Sequence, residues 1–449
     1  MTDTAESIES PPAAGELLAD LPAAGDLLAD LRWRGLVAQS TDEAALAAAL
    51  AQGPITLYCG FDPTAPSLHV GNLVPLLTLR RFQLAGHRPI GLVGGATGLI
   101  GDPSGRSAER SLQDTDVVAD WLALIRSQLD LVLDFDGPAP ARVVSNLDWT
   151  ESLSAIELLR DVGKHFSVNT MLAKESVATR LAENGISYTE FSYMILQAYD
   201  FLELYRSADC RLQIGGADQW GNITAGLDLI RRVEGRGSTP AHALTVPLVV
   251  KSDGAKFGKT AGGAIWLDAK MTSPYAFHQF WLNTDDRDVV RFLRLFSLRT
   301  PSEISQIIAD WDDRRASRSA QRALADELTT LIHGAEETVR VIAAGKALFG
   351  QGDLAQLDAA TLDAALAEAP HVVIAAGEPT PTVVDLLVAT GLCESKGAAR
   401  RAIKEGGAYL DNVRVLDADT VPQATLAGGW VLLRKGKRNL AGARLPAGL

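Results

Sequence analysis

The chain has 449 residues, 47% hydrophobic and 22% charged. That length accommodates two or three compact domains of roughly 100–200 residues, and the composition excludes a chain that is mostly disordered, collagen-like or coiled-coil. The net charge of −13 counts against nucleic acid as a partner for the chain as a whole, because phosphates need basic neutralisation.

In chain order, residues 1–31 read as a low-complexity extension. It holds the tandem repeat PAAGELLADL and PAAGDLLADL, whose prolines and glycines interrupt a continuous helix. The first twenty residues carry Asp3, Glu6, Glu9, Glu16 and Asp20 but no Lys or Arg, so the basic start of a secretory signal is missing. No apolar run approaches a membrane span, and a cytoplasmic protein without a membrane partner is expected. Cys59, Cys210 and Cys393 are too widely spaced for a disulfide framework or a zinc cluster, so no protein-bound zinc or other resident metal is expected.

From residue 32 to 270, short apolar runs alternate with helical patterns. ITLYCG (55–60), RPIGLVG (88–94), RVVSN (142–146), CRLQIGG (210–216) and LTVPLVV (244–250) read as buried strands of a parallel sheet, which makes this segment α/β. Residues 271–374 become helical, AAGEPTPT (375–382) reads as a linker, and 383–449 as a small α+β unit. From Thr380 to Leu449 there are ten Lys and Arg against six Asp and Glu, a net of +4 that leaves −17 for the rest. An acidic body thus carries a basic tail, and the tail reopens the case for nucleic acid.

Several stretches combine the residue types that phosphate and small-molecule chemistry need. After ITLYCG, the loop FDPTAPSLHVGN leads into a helix near His69 and Gly71, where unpaired N–H groups favour an anion and glycine allows a flat ligand close approach. Taken alone, such a His-x-Gly also suits a purely structural histidine. KSDGAKFGKTAGG (251–263) places Lys256, Lys259 and Thr260 among glycines, as a basic loop that can close on a polyphosphate would; no GxxxxGK[ST] is present, so it is not a P-loop. In TEFSYMILQAYDFLELY, Phe191, Met194, Ile195, Ala198, Phe201 and Leu202 form an apolar helix face. Tyr193, Gln197 and Asp200 fall opposite, lining either a polar pocket or solvent. GGATGLIGDPSG and QIGGADQWGN add glycine turns with Asp102 and Asp218. In an open α/β sheet all of these converge beyond the carboxyl ends of the strands.

The motifs YCGFDPTAPSLHVGN, LVGGATGLIGDPSG, DVGKHFSVN, EFSYMILQAYDF, LQIGGADQWGNI and KFGKT, in this order, resemble the bacterial tyrosyl-tRNA synthetases, a family of class I aminoacyl-tRNA synthetases. The resemblance runs from about Leu31 to Leu440. It implies a Rossmann-like catalytic domain, a helical domain and an RNA-binding domain. It also implies a two-step reaction, tyrosine and ATP giving tyrosyl-adenylate and pyrophosphate before transfer to tRNA(Tyr). Tyr58 and Asp200 then meet the phenol hydroxyl, and Tyr193, Gln197 and Asp102 the ammonium group, with Gln219 near the reacting carboxylate. Thr64, His69, Lys256, Lys259 and Thr260 stabilise pyrophosphate charge. Gly71 makes room for adenine, and Cys59, Asn72, Gly216 and Asp218 are ribose-side contacts, with Asp62 in the same ATP-binding set. ATP enters with magnesium as a substrate, and a homodimer is expected.

The chain departs from the general class signatures at Asn72, where a second His is usual, and at Phe257, Gly258 and Thr260 in the lysine loop. Both lysines remain. The tail stretch VVDLLVATGLCESKGAARRAIKEGGAYLDNVRV resembles the RNA-binding fold of a small-subunit ribosomal protein, with Lys396, Arg400, Arg401 and Lys404 in its helical element and Arg434, Lys435, Lys437 and Arg438 near the last strand. Two alternatives stay open: a tryptophan-specific relative, disfavoured by Tyr58 and Asp200, and an RNA-binding protein that keeps the fold without catalysis, disfavoured by intact His69, Lys256, Lys259 and Asp200.

Overall fold

The computed structural model describes residues 27–104, 114–183, 185–235, 237–260, 263–436 and 439–446. They fall into two compact units, one of residues 27–271 with Asn283–Leu324, the other of Thr272–Leu282 with the described residues from Ala325 onward.

The first unit is built on a six-stranded sheet of β1 (Gln39–Ser40), β2 (Thr56–Phe61), β3 (Arg88–Val93), β4 (Arg142–Ser145), β5 (Cys210–Gly216) and β6 (His242–Val246), in the order β1-β6-β5-β2-β3-β4. All neighbours run parallel except the short β1 edge on β6. The central strands are apolar at successive positions because helices cover both faces, as a parallel sheet requires. The run expected to continue to Val250 ends at Val246: Pro247 has no N–H for the ladder. The chain adds β3 and β4 on one side of β2 and later β5 and β6 on the other. Strand order therefore reverses beside β2, and a crevice opens beyond the carboxyl ends of β2 and β5.

The helix Tyr188–Ala208 starts where the Ser187 hydroxyl accepts the Glu190 N–H at 3.2 Å and stops at Asp209, whose φ of 51° leaves the helical region. Ala198, Phe201 and Leu202 pack into a cluster with Tyr58 and Leu229. Burying a side chain the size of Phe201 stabilises the fold by about 1.5–3 kcal/mol. The opposite face is not given to solvent: Tyr193 and Asp200 are buried as well.

Described structure reaches into the stretch 1–31 expected as an extension. A helix spans Leu27–Arg34 with Leu27 and Leu31 buried, and buried Asp30 pairs with Arg34 at 2.8 Å. Arg34 also donates to the carbonyls of Ser297 at 2.9 Å and Arg299 at 2.6 Å, so both charges are fully partnered. The second repeat copy thus ends in ordered structure; the first lies outside the described residues.

In the second unit, β9 (His371–Val373), β10 (Ala408–Leu410), β11 (Val413–Arg414), β12 (Trp430–Lys435) and β13 (Asn439–Arg444) form a sheet in the order β11-β10-β12-β13-β9. β9 pairs parallel with β13, so a strand of the tail's sheet precedes the stretch 375–382 expected as a linker. β12 is apolar on both faces. Val431 and Leu433 face Val384, Leu387 and Ile403, while Trp430 and Leu432 face Tyr275, Val341, Leu348 and Leu362. The segments expected as separate domains, 271–374 and 383–449, therefore share a core. The helix Asp286–Phe296 belongs to the first unit instead.

Candidate active site

Five strand ends supply the crevice. β2 leads to Asp62 and His69, β3 to Thr97 and Asp102, β4 to Asn146 and Trp149, β5 to Gly216–Gln219, and β6 to the lysine loop.

The floor is a buried polar chain. Trp149 Nε1 and Asn146 Nδ2 donate to the two oxygens of Asp200 at 2.9 and 3.0 Å. Asn146 Nδ2 also reaches Thr97 Oγ1 at 3.0 Å; Thr97 donates to Asp62 Oδ1 at 2.7 Å, and the Tyr193 hydroxyl to Asp62 Oδ2 at 2.7 Å. Burial, partly offset by those two donors, raises the Asp200 pKa to about 7. Burial first, and then the Asp200 charge, hold the Tyr58 phenol well above its ordinary pKa. Tyr58 packs on Phe201 with ring centroids 5.4 Å apart. Its hydroxyl, Gln197 Oε1 and Gln213 Oε1 are buried without a hydrogen-bond partner. Unpaired buried polar atoms are costly, and these three stand beside the Asp200 network with hydrogen-bonding capacity left over for a polar group.

Asp102 accepts from Gln219 Nε2 at 2.6 Å and from the Ser104 N–H at 3.0 Å. Gln219 also reaches Asp218 at 3.3 Å, and burial raises the Asp218 pKa. A Cβ at Gly216 would stand 2.5 Å from Asp218 Oδ1, so a side chain there would push the Asp218 carboxylate aside. Cys59 is buried in β2 and its thiol is pushed up to about 12 by burial.

His69 and Asn72 form a reciprocal cap. The Gly71 N–H donates to His69 Nδ1 at 3.0 Å, and the His69 N–H to Asn72 Oδ1 at 3.0 Å. One edge of the His69 ring is open to solvent, while desolvation, ahead of the Lys259 charge, lowers its pKa. With Nδ1 accepting, the neutral ring carries its proton on Nε2. A Cβ at Gly71 would lie 2.8 Å from His69 Cε1, so glycine is required here by the imidazole itself.

The lysine loop is stitched to this segment. Val70 N–H donates to the Ile265 carbonyl at 3.0 Å, Leu267 N–H to the Leu68 carbonyl at 2.9 Å, and His69 bridges Trp266 in antiparallel fashion. Lys256 bridges Val250, while Lys259 begins β7 (Lys259–Thr260), paired with β8 (Gly263–Ala264). Lys256, Lys259 and Thr64 are exposed. Five of the six motifs singled out by sequence are thus linked by hydrogen bonds or backbone pairing, and DVGKHFSVN is the sixth. That motif lies at Asp161–Asn169, in short helical turns beyond β4.

In the second unit, Arg400, Arg401 and Lys404 are exposed on the helix Lys396–Lys404. Lys396 pairs with Asp385 at 2.7 Å, and Lys435 donates to the Leu392 carbonyl at 2.9 Å. Arg434 corrects an expectation: it is buried, 5.0 Å over the Tyr409 ring and against Gly350, because β12 is an interior strand. It is packing, not phosphate-facing charge. Lys437 and Arg438 lie outside the described residues.

Sequence reasoning missed Asn146, Trp149, Thr97 and Gln213. The signal for Gln213 was a lone amide in the apolar run CRLQIGG, in register with Tyr58 on the neighbouring strand. Asn146 is the last residue of the predicted strand RVVSN and Trp149 lies three residues on, the end at which an α/β sheet presents its polar groups.

A family profile described as tRNA synthetases class I (W and Y) matches residues 50–350, and one described as a tyrosine–tRNA ligase SYY-like C-terminal domain matches residues 362–441. A tyrosine–tRNA ligase of Streptomyces avermitilis is 61% identical over 420 residues, 93% of this chain and 98% of the relative. One of Acidothermus cellulolyticus is 62% identical over 416 residues, 91% and 97% of the two chains. Among solved structures, a C-terminally truncated mitochondrial tyrosyl-tRNA synthetase of Aspergillus nidulans superposes with a TM-score of 0.64 at 30% identity, covering 70% of this chain and 92% of that one.

Proposed function

The chain belongs to the class I tRNA synthetases that serve tryptophan and tyrosine, and from that premise we propose how its residues carry out tyrosine–tRNA ligation. As a tyrosine–tRNA ligase it activates L-tyrosine with ATP to tyrosyl-adenylate and pyrophosphate, then passes the tyrosyl group to the 3′ end of its tRNA. The observation that carries the amino-acid assignment is the unpaired, buried Tyr58 hydroxyl in the field of the Asp200 carboxylate.

Tyr58 and Asp200 read the substrate's phenol hydroxyl, with Asn146 and Trp149 aiming the carboxylate. A pocket of this kind leaves buried polar groups stranded when phenylalanine enters, the logic for which this enzyme family is itself the standard illustration. Tyr193, Gln197 and Asp102 hold the ammonium group, and Gln219, tied to Asp102, faces the reacting carboxylate. The tyrosine carboxylate attacks the α-phosphate of magnesium-bound ATP in line; the bond to pyrophosphate breaks, and no nucleophile on the enzyme is needed. Negative charge grows on the leaving pyrophosphate. His69 offers it the Nε2 proton, Lys256 and Lys259 offer positive charge, and Thr64 and Thr260 offer hydroxyls. Cys59, Asp62, Gly71, Asn72, Gly216 and Asp218 form the adenosine side, with magnesium entering as part of the substrate.

For the second step, Arg400, Arg401 and Lys404 are the basic groups suited to tRNA phosphates. Lys396, Lys435, Lys437 and Arg438 extend the same charge. Ile156, Leu159, Val168 and Tyr188 are 68%, 56%, 59% and 70% exposed, and large apolar side chains left open in this way support a homodimer. No described helix is long and apolar enough to cross a membrane, and the enzyme works in the cytoplasm with soluble tRNA.

The test is ATP–pyrophosphate exchange with tyrosine, phenylalanine and tryptophan supplied separately. Exchange with tyrosine alone is expected. Exchange with tryptophan would overturn the pocket assignment, and none with any amino acid would leave only an RNA-binding protein.

A further inference from the structure

The lysine loop is pinned at two points along one helix, and neither pin has a place in the machinery assigned above. Ser252 donates to Asp288 Oδ2 twice, from its backbone N–H and from its hydroxyl, each at 3.0 Å. Arg291 donates to Asp288 Oδ1 at 3.1 Å and also to the Val250 carbonyl. Asp288 is 4% exposed, so its carboxylate is buried while Ser252 and Arg291 reach it from the surface. Further along the same helix, Asp286–Phe296, the rings of Phe292 and Phe296 hold Phe257, with centroids 5.0 and 5.3 Å away. Positions 288, 292 and 296 are spaced by four and share one helix face, so the loop is laid along a single rigid edge. Lys256 lies between the two pins and Lys259 just after the second. On its other side the loop meets the His69 segment: Gly258 has a φ of 74° and a Cβ there would stand 2.7 Å from Val70.

We propose that Asp288 is a positioning residue for adenylate formation, acting through Ser252 and Arg291 to set where Lys256 and Lys259 stand over the crevice. The Asp288 carboxylate bonds to Ser252 and Arg291 and acts by fixing the loop's entry, as the aromatic pair fixes its middle. A lysine whose backbone drifts by about an ångström loses most of its effect on a developing charge, since that effect depends on geometry prepared before the reaction. The proposal rests on the reading that the two lysines act on pyrophosphate.

Ser252→Ala and Asp288→Asn, each alone and combined with Lys259→Ala, test it in the full-length enzyme. The readouts are exchange kinetics, tyrosine affinity by equilibrium binding, and thermal midpoint. Ser252→Ala is expected to lower the exchange kcat by about three- to tenfold, since the backbone N–H bond to Asp288 remains, and Asp288→Asn by more, with tyrosine affinity held within about twofold. In the Lys259→Ala background each change should slow the enzyme by a smaller factor than in the parent, because the part of the latch that acts through that lysine is already gone and only the part through Lys256 remains. Ser252→Ala keeps the backbone bond and covers the case in which Asp288→Asn folds poorly. Losses that multiply with Lys259→Ala, a parallel fall in tyrosine affinity, or an unchanged or faster rate would each overturn the latch alone. A Lys259→Ala enzyme running at the parent rate would remove the lysine reading and this proposal together.

Discussion

Asp200 keeps its proton to about pH 7 because burial outweighs the two donors that favour its anion. In the unfolded chain the same carboxyl ionises near 3.8. Between those values the native state holds the extra proton, so stability falls as pH rises from about 4 to 7 and levels off above. Asp200→Asn removes the titration. Urea midpoints are therefore expected to move in the variant's favour, relative to the parent, between pH 4 and pH 8; a constant difference across that range would show that the carboxyl titrates normally. At Tyr58, Tyr58→Phe is expected to lower kcat/KM for tyrosine about five- to tenfold, the effect of one neutral hydrogen bond, and to narrow discrimination against phenylalanine. Parallel losses for both amino acids would contradict a hydroxyl-reading role. Tyr58, Tyr193 and Asp200 were legible because a helix period and an ordered set of motifs isolate them. Asn146 and Trp149 were not, because their worth lies in pointing at Asp200 from more than fifty positions away, which no local pattern records.

Each strand of the parallel sheet delivers one turn to the crevice, and glycines decide how close those turns come. Gly71→Ala would place a methyl 2.8 Å from His69 Cε1 and 2.9 Å from Nδ1, pushing the imidazole off the Gly71 N–H. Exchange is expected to slow by tenfold or more while tyrosine affinity is unchanged, which stopped-flow fluorescence and equilibrium binding separate. A normal rate would mean that the ring has no part in the step. The five main strands were readable from apolar runs, since a sheet covered on both faces needs them. β9 was not: three residues pairing at register with Gly442–Arg444 carry no signal of their own, and the proline-glycine stretch after them reads as a linker. The helix at Leu27 was hidden by its repeat, because Asp30 gains its place from Arg34, which only the second copy has four residues on.

The whole chain divides its charge, −17 before Thr380 and +4 after, and that contrast was legible from composition. The division of its cores was not. Removing residues 380–449 would strip Trp430 and Leu432 from the helices that hold Tyr275 and Leu348, so truncation confounds RNA binding with unfolding. Charge reversal at Arg400, Arg401 and Lys404 is the cleaner change. Exchange should be unaffected, aminoacylation should need more tRNA, and the salt dependence of tRNA binding should become shallower; an unaltered salt slope would place the phosphates elsewhere. The shared core also has a consequence for biosynthesis. The chain is made in order, and the helices Ala335–Leu348 and Ala359–Ala367 leave the ribosome well before Trp430. At roughly 5–20 residues per second, their apolar faces stay uncovered for several seconds while β9 waits for β13, a window in which a trigger-factor-like chaperone has something to hold.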